Sequence, residues 1–387
     1  MAVFLLVRRY IAYHKVKSLV VISCLSLTIY LPVTMQWFIG QLESSLTNRA
    51  QSTPMIIGAK GSRFDLAFCA MYYSVSPPEM IEMQDLVDVR DSGLATAIPL
   101  HVQFRAQGFP VVGTEPQYLK FRGLSVSSGD DWQRLGDCVV GAAVAKKLNL
   151  KPGDKLQTDP QNLFDLAGQF PLRMRVIGVL APANPIDDQS VFVQLKTAWV
   201  IAGLGHGHEK PKQKHKTRGS GVIANAGVKT YTEITDENVK RFHFHGEPGE
   251  RPISAILVVT PDERSKTILM GRFVEDDATL QVVQPNVVID EVLAMVFRVR
   301  SVLQVAFGVL VVVTMAFVGL VMTLSMRLRQ REMMTMFKLG ASRRLVATLQ
   351  TVEVGLLMAM SLLVAGVLFG LTIWAAPGLL QQWVVGS

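Results

Sequence analysis

Three long runs of apolar residues interrupt the mixed pattern of apolar and polar positions in this chain of 387 residues. They lie at 18–39, 301–326 and 346–376, and together they contain a single charged residue, Glu353. A helix needs about 20 apolar residues to cross a bilayer, so the pattern predicts three membrane-spanning helices. The first is interpreted as an uncleaved span, because bulky residues such as Trp37 stand where small residues precede the cleavage site of a signal peptide.

Residues 40–300 alternate short strand-like runs with turn signals and helical patches. This alternation predicts an α+β region, either as one domain or as two subdomains. Helices are expected at Val140–Leu150 and Glu79–Leu86, and the polar stretch 203–249, rich in Gly, His and Lys, is expected to be a mobile insertion. Strands are expected at Pro54–Gly58, Val111–Gly113, Met174–Leu180, Val191–Leu195 and Ile253–Val259.

The net charge of +8 comes from two short segments beside the apolar runs. Residues 1–17 carry four basic residues and no acidic ones, residues 327–344 carry six basic residues and one acidic one, and residues 40–300 carry 29 of each sign. Basic flanks mark the cytoplasmic side of membrane helices, so residues 40–300 are predicted to lie outside the cytoplasm. A nucleic-acid partner is not expected, because it would need a basic face on a folded domain.

The predicted fold class is a membrane protein with three α-helical transmembrane spans and a large α+β extracytoplasmic domain inserted between spans 1 and 2. The predicted segments are a cytoplasmic N-terminus 1–17, transmembrane helix 18–39, extracytoplasmic domain 40–300, transmembrane helix 301–326, cytoplasmic loop 327–345, transmembrane helix 346–376 and extracytoplasmic tail 377–387.

Motifs of catalysis are absent from the sequence. It contains no phosphate-binding loop of the Gly-x-x-x-x-Gly-Lys-Ser/Thr type, no Gly-x-Ser-x-Gly turn and no His-Glu-x-x-His helix. Adjacent acidic pairs such as Asp187-Asp188 suit turns better than acid–base catalysis. The sequence therefore predicts a chain without a catalytic site of its own.

Histidines are concentrated in the polar stretch, where two His-x-His pairs occur: His206 with His208, and His243 with His245. On a strand, such a pair points both imidazoles to one face, where they could bind Zn²⁺ or Cu²⁺. Basic residues that lie between the pairs would repel a cation, namely Lys210, Lys212, Lys214, Lys216 and Arg218. A metal site and a solvated loop both remain open.

The cysteines outside the apolar runs, Cys69 and Cys138, lie in the region predicted to be extracytoplasmic, where oxidation is permitted. They either form a disulfide or are two buried thiols. Glu353 is expected to face protein or water, because a carboxylate at the bilayer centre costs about 2.5–3.5 kcal/mol on insertion scales. It is either a coupling contact or an interfacial residue that reaches toward water.

The cytoplasmic loop carries helix signals between the second and third spans. Gly340 can end a helix, and Ser342 can cap a new one that leads into the third span. Such a helix could dock a partner and pass its movement to the membrane. The alternative is a basic loop that only sets topology.

These residues resemble the FtsX-like, MacB-type ABC-transporter permeases. The resemblance covers most of the chain in order. Its residues are Arg331-Glu332, Lys338–Arg344 with Val346 and Glu353, Ile57–Ser62, Val139–Asp154, Val176–Pro182, Asp187, Val191–Val193 and the His-rich insertion after Trp199. The family usually has four spans whereas three fit here, which leaves the dimer interface and the C-terminal topology open.

The resemblance implies a multi-pass protein of the bacterial inner membrane, with its N-terminus in the cytoplasm and its C-terminus outside. It implies a homodimer, a separate cytoplasmic ATPase that binds ATP, and contacts with membrane lipid and with an extracytoplasmic adaptor or cargo protein. The cargo would be a lipoprotein, peptide, lipid or similar molecule. The implied ATPase-coupling residues are Arg331, Glu332, Gly340, Ala341, Ser342, Arg343 and Arg344.

Two other functions remain open. An FtsX-type regulator would activate an extracytoplasmic enzyme without transporting anything, although a domain of about 260 residues is large for that role. A membrane-anchored metal-handling protein would use the histidine pairs. In each case the chain itself holds no ATP.

Overall fold

The computed structural model describes residues 2–74, 79–132, 134–160, 171–207, 231–273, 279–328, 330, 334–335, 338 and 342–385. The chain divides into two compact units. One, here called the membrane unit, comprises residues 1–46 and 290–380, and the other, the globular unit, comprises residues 47–289 and 381–387.

Among the described residues, four helices contribute to the membrane unit. They are α1 (Ala2–Tyr13), α2 (Lys15–Gln51), α10 (Pro285–Leu328) and α11 (Arg343–Val385). Three helices of the described residues are long and apolar enough to cross a membrane, with Lys15–Gln51, Pro285–Leu328 and Ala347–Ala375 as their extents. The prediction of three apolar helices is confirmed, and Arg298 and Arg300 lie on the continuous helix α10.

The helices of the globular unit are short. They are α3 (Arg63–Tyr72), α4 (Met83–Asp91), α5 (Gln117–Arg122), α6 (Ala142–Leu148), α7 (Pro185–Asp188), α8 (Leu195–Ile201) and α9 (Glu263–Gly271). The strands of the globular unit are β1 (Met55–Ala59), β2 (Ile81–Glu82), β3 (Thr96–Ala106), β4 (Phe109–Thr114), β5 (Val126–Gly129), β6 (Asp137–Val140), β7 (Lys155–Gln157), β8 (Arg173–Leu180), β9 (Val191–Gln194), β10 (Gly205–Gly207), β11 (Phe242–Phe244), β12 (Pro252–Ile253), β13 (Ala255–Val259) and β14 (Leu280–Val283).

A mixed sheet of ten strands organises the described part of the globular unit. Its order is β14-β1-β13-β3-β4-β9-β6-β8-β5, and β7 pairs with β8 off this path. The pairs β4–β9 and β6–β8 are parallel, and the others are antiparallel. Two further ladders, β10–β11 and β12–β2, are separate from this sheet.

Strand β3 joins two halves of the sheet. Its residues Thr96–Leu100 pair with β13, and His101–Ala106 pair with β4. One apolar core lies on each side of this junction, one around Val111 and Met174 and the other around Ile57 and Ile256. The sequence left open whether the α+β region is one domain or two subdomains. The structure has features of both, because one continuous sheet carries two apolar cores.

His101 occupies the junction in β3. Its ring is fully buried and stacks on Phe104 with 5.4 Å between ring centroids. Within the described residues, neither ring nitrogen has a hydrogen-bond partner. Burial disfavours the imidazolium and lowers the pKa of His101 to about 4. The ring is therefore neutral at physiological pH.

Most predicted elements are confirmed, with corrections. Four of the five expected strands form, whereas the run expected at Ile253–Val259 divides into β12 and β13, which belong to different ladders. The helix expected at Val140–Leu150 spans Ala142–Leu148 before a turn at Gly153 (φ 103°). The helix expected at Glu79–Leu86 begins only at Met83, because Ile81 and Glu82 pair with the strand at 252–253. The polar stretch 203–249, expected to be mobile, contains the ladder β10–β11 near its two ends, and its residues 208–230 lie outside the described residues.

Candidate functional site

The ladder β10–β11 brings three of the predicted metal ligands together. His206 lies directly opposite His243 in the antiparallel register, and His245 follows two residues later. Opposite residues share a face of the ladder, and so do residues two apart on one strand. All three imidazoles therefore lie on one face, while His208, the fourth predicted ligand, lies outside the described residues.

The other face of the same ladder is aromatic. Phe244 lies opposite Gly205, and Phe242 lies opposite Gly207. A Cβ atom added at Gly205 would come within 2.6 Å of the Phe244 ring, so the absence of a side chain leaves room for the ring. Phe244 in turn packs edge-on against Trp199, with 6.4 Å between ring centroids. The glycines and phenylalanines thus fix which face carries the histidines.

The three imidazoles are close enough to share one ion. One ligand nitrogen from each ring lies within 4.8 Å of the other two. The Nε2 atoms of His206 and His245 are 3.4 Å apart. Two nitrogens bound to one tetrahedral Zn²⁺ at about 2.05 Å would be about 3.3 Å apart. The separation of this pair already matches a shared ion.

A buried ion pair holds the last turn of α2 within the globular unit. Arg49 Nη1 donates to Asp187 Oδ2 at 2.5 Å, and Arg49 Nη2 donates to Asp187 Oδ1 at 2.9 Å. The Arg49 Nε atom donates to the carbonyl oxygen of Met71 at 2.9 Å. The Asp187 side chain is fully buried and that of Arg49 is 6% exposed. The paired charges therefore interact without solvent screening.

Polar groups around this pair complete its hydrogen bonding. The hydroxyls of Tyr73 and Tyr118 accept from Arg49 Nη2 at 3.1 and 3.3 Å. Asn184 Nδ2 donates to Asp187 Oδ2 at 2.7 Å, and the Asn184 side chain also caps α7. Burial by itself raises the pKa of the Asp187 carboxyl, but the Arg49 charge and the hydrogen bonds outweigh it and hold that pKa below its usual range.

A second ion pair links helices inside the membrane unit. Lys17 Nζ donates to Glu353 Oε1 at 2.8 Å and to Ser325 Oγ at 2.9 Å. The hydroxyls of Ser325 and Tyr10 are also within hydrogen-bond distance, at 3.2 Å. These contacts join α1, α2, α10 and α11. The prediction that Glu353 faces protein or water rather than lipid is confirmed, since its side chain is 7% exposed and pairs with Lys17.

Most of the predicted ATPase-coupling residues lie outside the described residues, namely Arg331, Glu332, Gly340 and Ala341. Ser342 caps the next helix as predicted, since its hydroxyl accepts from the backbone N–H of Leu345 at 3.3 Å. Arg343 begins α11, and Arg344 is exposed on its first turn. Helix α11 continues without a break through the third apolar run.

The cysteines are free thiols. Cys69 and Cys138 are both fully buried and unpaired, so the disulfide alternative is wrong and the alternative of two buried thiols is confirmed. The two belong to different elements, α3 and β6. Burial raises the pKa of the Cys69 thiol to about 12, and burial likewise raises the pKa of the Cys138 thiol. Both therefore stay protonated and unreactive at neutral pH.

Sequence reasoning missed the Arg49 network. The pattern around Asp187 favours a turn, yet Asp187 is the buried partner of an arginine 138 residues away. The Asn184-Pro185 start of a helix was the available local signal, because Asn is a favoured N-cap and Pro a favoured first residue. Nothing in the local sequence of Arg49 indicates its partner.

The described residues thus define a class of protein: a chain with three apolar helices and a mixed α+β domain inserted after the first. Residues 20–220 match the family model of the MacB-like periplasmic core domain, which is more than half of the chain. The chain therefore belongs to this family, that of the FtsX-like, MacB-type ABC-transporter permeases. The main sheet extends past the matched residues, since β13 and β14 complete it.

Solved structures similar to this chain include two extracytoplasmic domains. One is the periplasmic region of MacB from Actinobacillus actinomycetemcomitans, with 10% identity, a TM-score of 0.35 and coverage of 64% of this chain and 97% of that one. The other is the extracellular domain of the noncanonic ABC-type transporter YknZ from Gram-positive bacteria, with 12% identity, a TM-score of 0.34 and coverage of 60% of this chain and 99% of that one. No curated protein gives a significant match.

Family membership makes this chain a bacterial membrane protein with an extracytoplasmic domain. It is a permease component of an ABC transporter, and such permeases work with an ATPase subunit. Permeases of this family are generally non-catalytic.

Proposed function

We propose that this permease transmits ATPase-driven motion across the bacterial inner membrane to its extracytoplasmic domain, which acts on a lipoprotein, peptide, lipid or similar cargo. The observation that carries the proposal is the attachment of α2. The division between the two units falls between Leu46 and Thr47, inside this unbroken helix. Arg49, one turn later, is bound to Asp187 inside the globular unit. A displacement of the helix end would therefore pull on the domain.

The ion pair of the membrane unit supports the same mechanism. Lys17, Ser325 and Glu353 link α2, α10 and α11 through charge-assisted hydrogen bonds. Helix α11 begins at Arg343, within the predicted cytoplasmic loop 327–345. A push on the start of α11 would act on α2 through Glu353 and Lys17. The proposed path thus runs from the ATPase to α11, then to α2 and finally to Arg49.

A second copy of the chain is part of the proposal. Among the described residues, and apart from the adjacent residues and the nearby backbone of α11 itself, no atom lies within 4 Å of a Cβ built on Gly366 or Gly370, which are four residues apart on this helix. Glycines at this spacing allow close approach of membrane helices. Large apolar side chains of α10 and α11, including Val305 and Leu363, are also exposed. These faces are available to lipid and to another copy.

The partner is tested by purifying the full chain from its native membrane in mild detergent and identifying co-purifying proteins by mass spectrometry. We expect a stoichiometric ATPase with a phosphate-binding loop, together with a second copy of the chain. Reproducible preparations of intact protein without an ATPase would refute the proposal.

The motion is tested with a spin label at Lys146→Cys, on the exposed side of α6. The label is introduced in a Cys24→Ser background, which removes the partly exposed thiol of α2, and the buried Cys69 and Cys138 should not take it up. We expect the distance between the labels of two copies to change between the nucleotide-free and ATP-bound complex. The Asp187→Asn variant should keep the ATPase but show a smaller change. An unchanged distance in the unmodified complex would exclude transmission to this domain.

A further inference from the structure

We infer that His206, His243 and His245 form an exchangeable binding site for a divalent cation of the Zn²⁺ type. The site is distinct from the proposed transmission of motion and does not depend on it. It lies on the ladder β10–β11 of the globular unit, and its three ligands come from two segments 37 residues apart along the chain.

The donor set selects the class of cation. Three imidazole nitrogens suit Zn²⁺, Cu²⁺ and Ni²⁺, whereas Ca²⁺ and Mg²⁺ require oxygen ligands. No thiolate or thioether takes part, so Cu⁺ is disfavoured. Zn²⁺ is the simplest fit, because it accepts tetrahedral nitrogen ligands and the 3.4 Å separation of the His206 and His245 Nε2 atoms matches one edge of such a tetrahedron.

The ladder pre-organises the ligands through its backbone. Directly opposite residues of antiparallel strands hold their Cβ atoms about 4.5–5.5 Å apart, which brings the rings of His206 and His243 side by side. His245 is fixed by its backbone N–H, which donates to the carbonyl oxygen of Leu204 at 2.9 Å. Small side-chain rotations would then bring the third nitrogen to the ion.

A backbone carbonyl orients one of the rings. His243 Nδ1 lies 3.5 Å from the carbonyl oxygen of Arg241. The tautomer with a proton on Nδ1 donates to this oxygen and leaves Nε2 with its lone pair for a metal ion. Metal-binding histidines are commonly oriented by such an outer contact.

The exposure of the site indicates an exchangeable ion rather than a structural one. His243 and His245 are exposed, and His206 is half-buried. Structural Zn²⁺ sites are closed by four protein ligands, whereas three ligands leave a position for water or an incoming group. The aromatic packing of Phe244 on Trp199 holds the ladder without a metal. An ion at this face can therefore be taken up and released without unfolding the domain.

The test uses the full chain in detergent with an affinity tag that contains no histidine, after removal of metal with a chelator. Zn²⁺ is titrated in competition with a chromogenic chelator, and Co²⁺ is used as a spectroscopic probe. We expect one Zn²⁺ per chain in competition with the chelator, intense visible absorption bands of low-symmetry Co²⁺, and a higher melting temperature with Zn²⁺, because the ion binds only the folded state.

The variant His243→Asn/His245→Asn should lose this Zn²⁺, its Co²⁺ spectrum and the thermal shift. The matched control His14→Asn, in the membrane unit, should keep all three. If the double variant is less stable than the unmodified chain without metal, the single variant His206→Asn is measured instead, because it removes one ligand and leaves β11 unchanged. Zn²⁺ binding that survives in either folded variant with unchanged affinity would overturn the assignment, as would the weak spectrum of octahedral Co²⁺ in the unmodified chain.

Discussion

Arg49 and Asp187 form a bidentate ion pair in the interior of the globular unit, with donor–acceptor distances of 2.5 and 2.9 Å, although 138 residues separate them in the sequence. The pair secures the last turn of a helix that begins at Lys15. Buried ion pairs contribute little net stability compared with apolar residues, but loss of one partner is costly. The arrangement therefore favours a fixed attachment of this helix over maximal stability.

Removal of the Asp187 carboxylate should destabilise the globular unit strongly. We expect Asp187→Ala to lower the free energy of unfolding by about 3–5 kcal/mol, because Arg49 would remain buried without its partner. The double variant Arg49→Met/Asp187→Leu should lose much less. Urea unfolding of the full chain in detergent, followed by tryptophan fluorescence, measures both. The neighbouring variant Asp188→Ala is the control and should cost about 1 kcal/mol; equal losses at the two aspartates would contradict the prediction.

His101 should make the globular unit less stable in mild acid. Its pKa is lowered to about 4 in the folded state, whereas an unfolded histidine titrates near 6.5. Between these values the unfolded chain binds more protons, so stability falls as pH decreases from about 6.5 to about 4, by up to about 3 kcal/mol. The His101→Leu variant should reduce this slope. An identical pH dependence of the unfolding free energy in both proteins would show that His101 is not responsible.

The Lys17–Glu353 pair should show coupling in a double-mutant cycle. We expect Lys17→Met and Glu353→Gln each to lower the stability of the membrane unit, and the combined variant to lose less than the sum. The coupling free energy should be about 1–3 kcal/mol, because the residues contact each other and are mostly buried. Unfolding in mixed micelles provides the measurement. Additive losses would mean that the two charges act independently.

The start of α11 should carry the ATPase contact. Replacing Arg343 and Arg344 with Glu should abolish ATPase binding, because it reverses two charges of the predicted docking segment. Membrane insertion should persist, since other basic residues still mark the cytoplasmic side. Co-purification with the ATPase provides the measurement. The matched control reverses the charges at Arg298 and Arg300, in the N-terminal half of α10, and should leave ATPase binding intact. Unchanged affinity of the Arg343/Arg344 variant for the ATPase would exclude the assignment.

Reducing agents should not affect the globular unit. Cys69 and Cys138 are free and buried, and the pKa of the Cys69 thiol is raised to about 12. We expect an unchanged melting temperature on addition of a reductant and no labelling of either thiol by maleimide until the protein is denatured. Intact mass with and without alkylation in denaturant checks the count. A mass of the denatured, unreduced chain that is lower by two hydrogen atoms than that of the reduced chain would reveal a disulfide.

The sequence alone determined the membrane helices and most strands. Uninterrupted apolar runs of sufficient length admit few structures other than spanning helices, because backbone groups in lipid must bond within the segment. Residues such as Ser342 also signalled their role locally, since capping depends on neighbours three positions away. The His-x-His spacing at His243 and His245 likewise indicated a shared face, because side chains on a strand alternate with a period of two.

Only the tertiary structure decided which distant residues meet. The register of β10 against β11 placed His206 opposite His243, and local sequence does not encode such a register. The same holds for Arg49 with Asp187 and for Lys17 with Glu353, where packing of separate elements brings opposite charges together. It also holds for Cys69 and Cys138, which are kept apart by their positions in different elements. Local patterns set each element, whereas the pairing of side chains depends on how the elements pack.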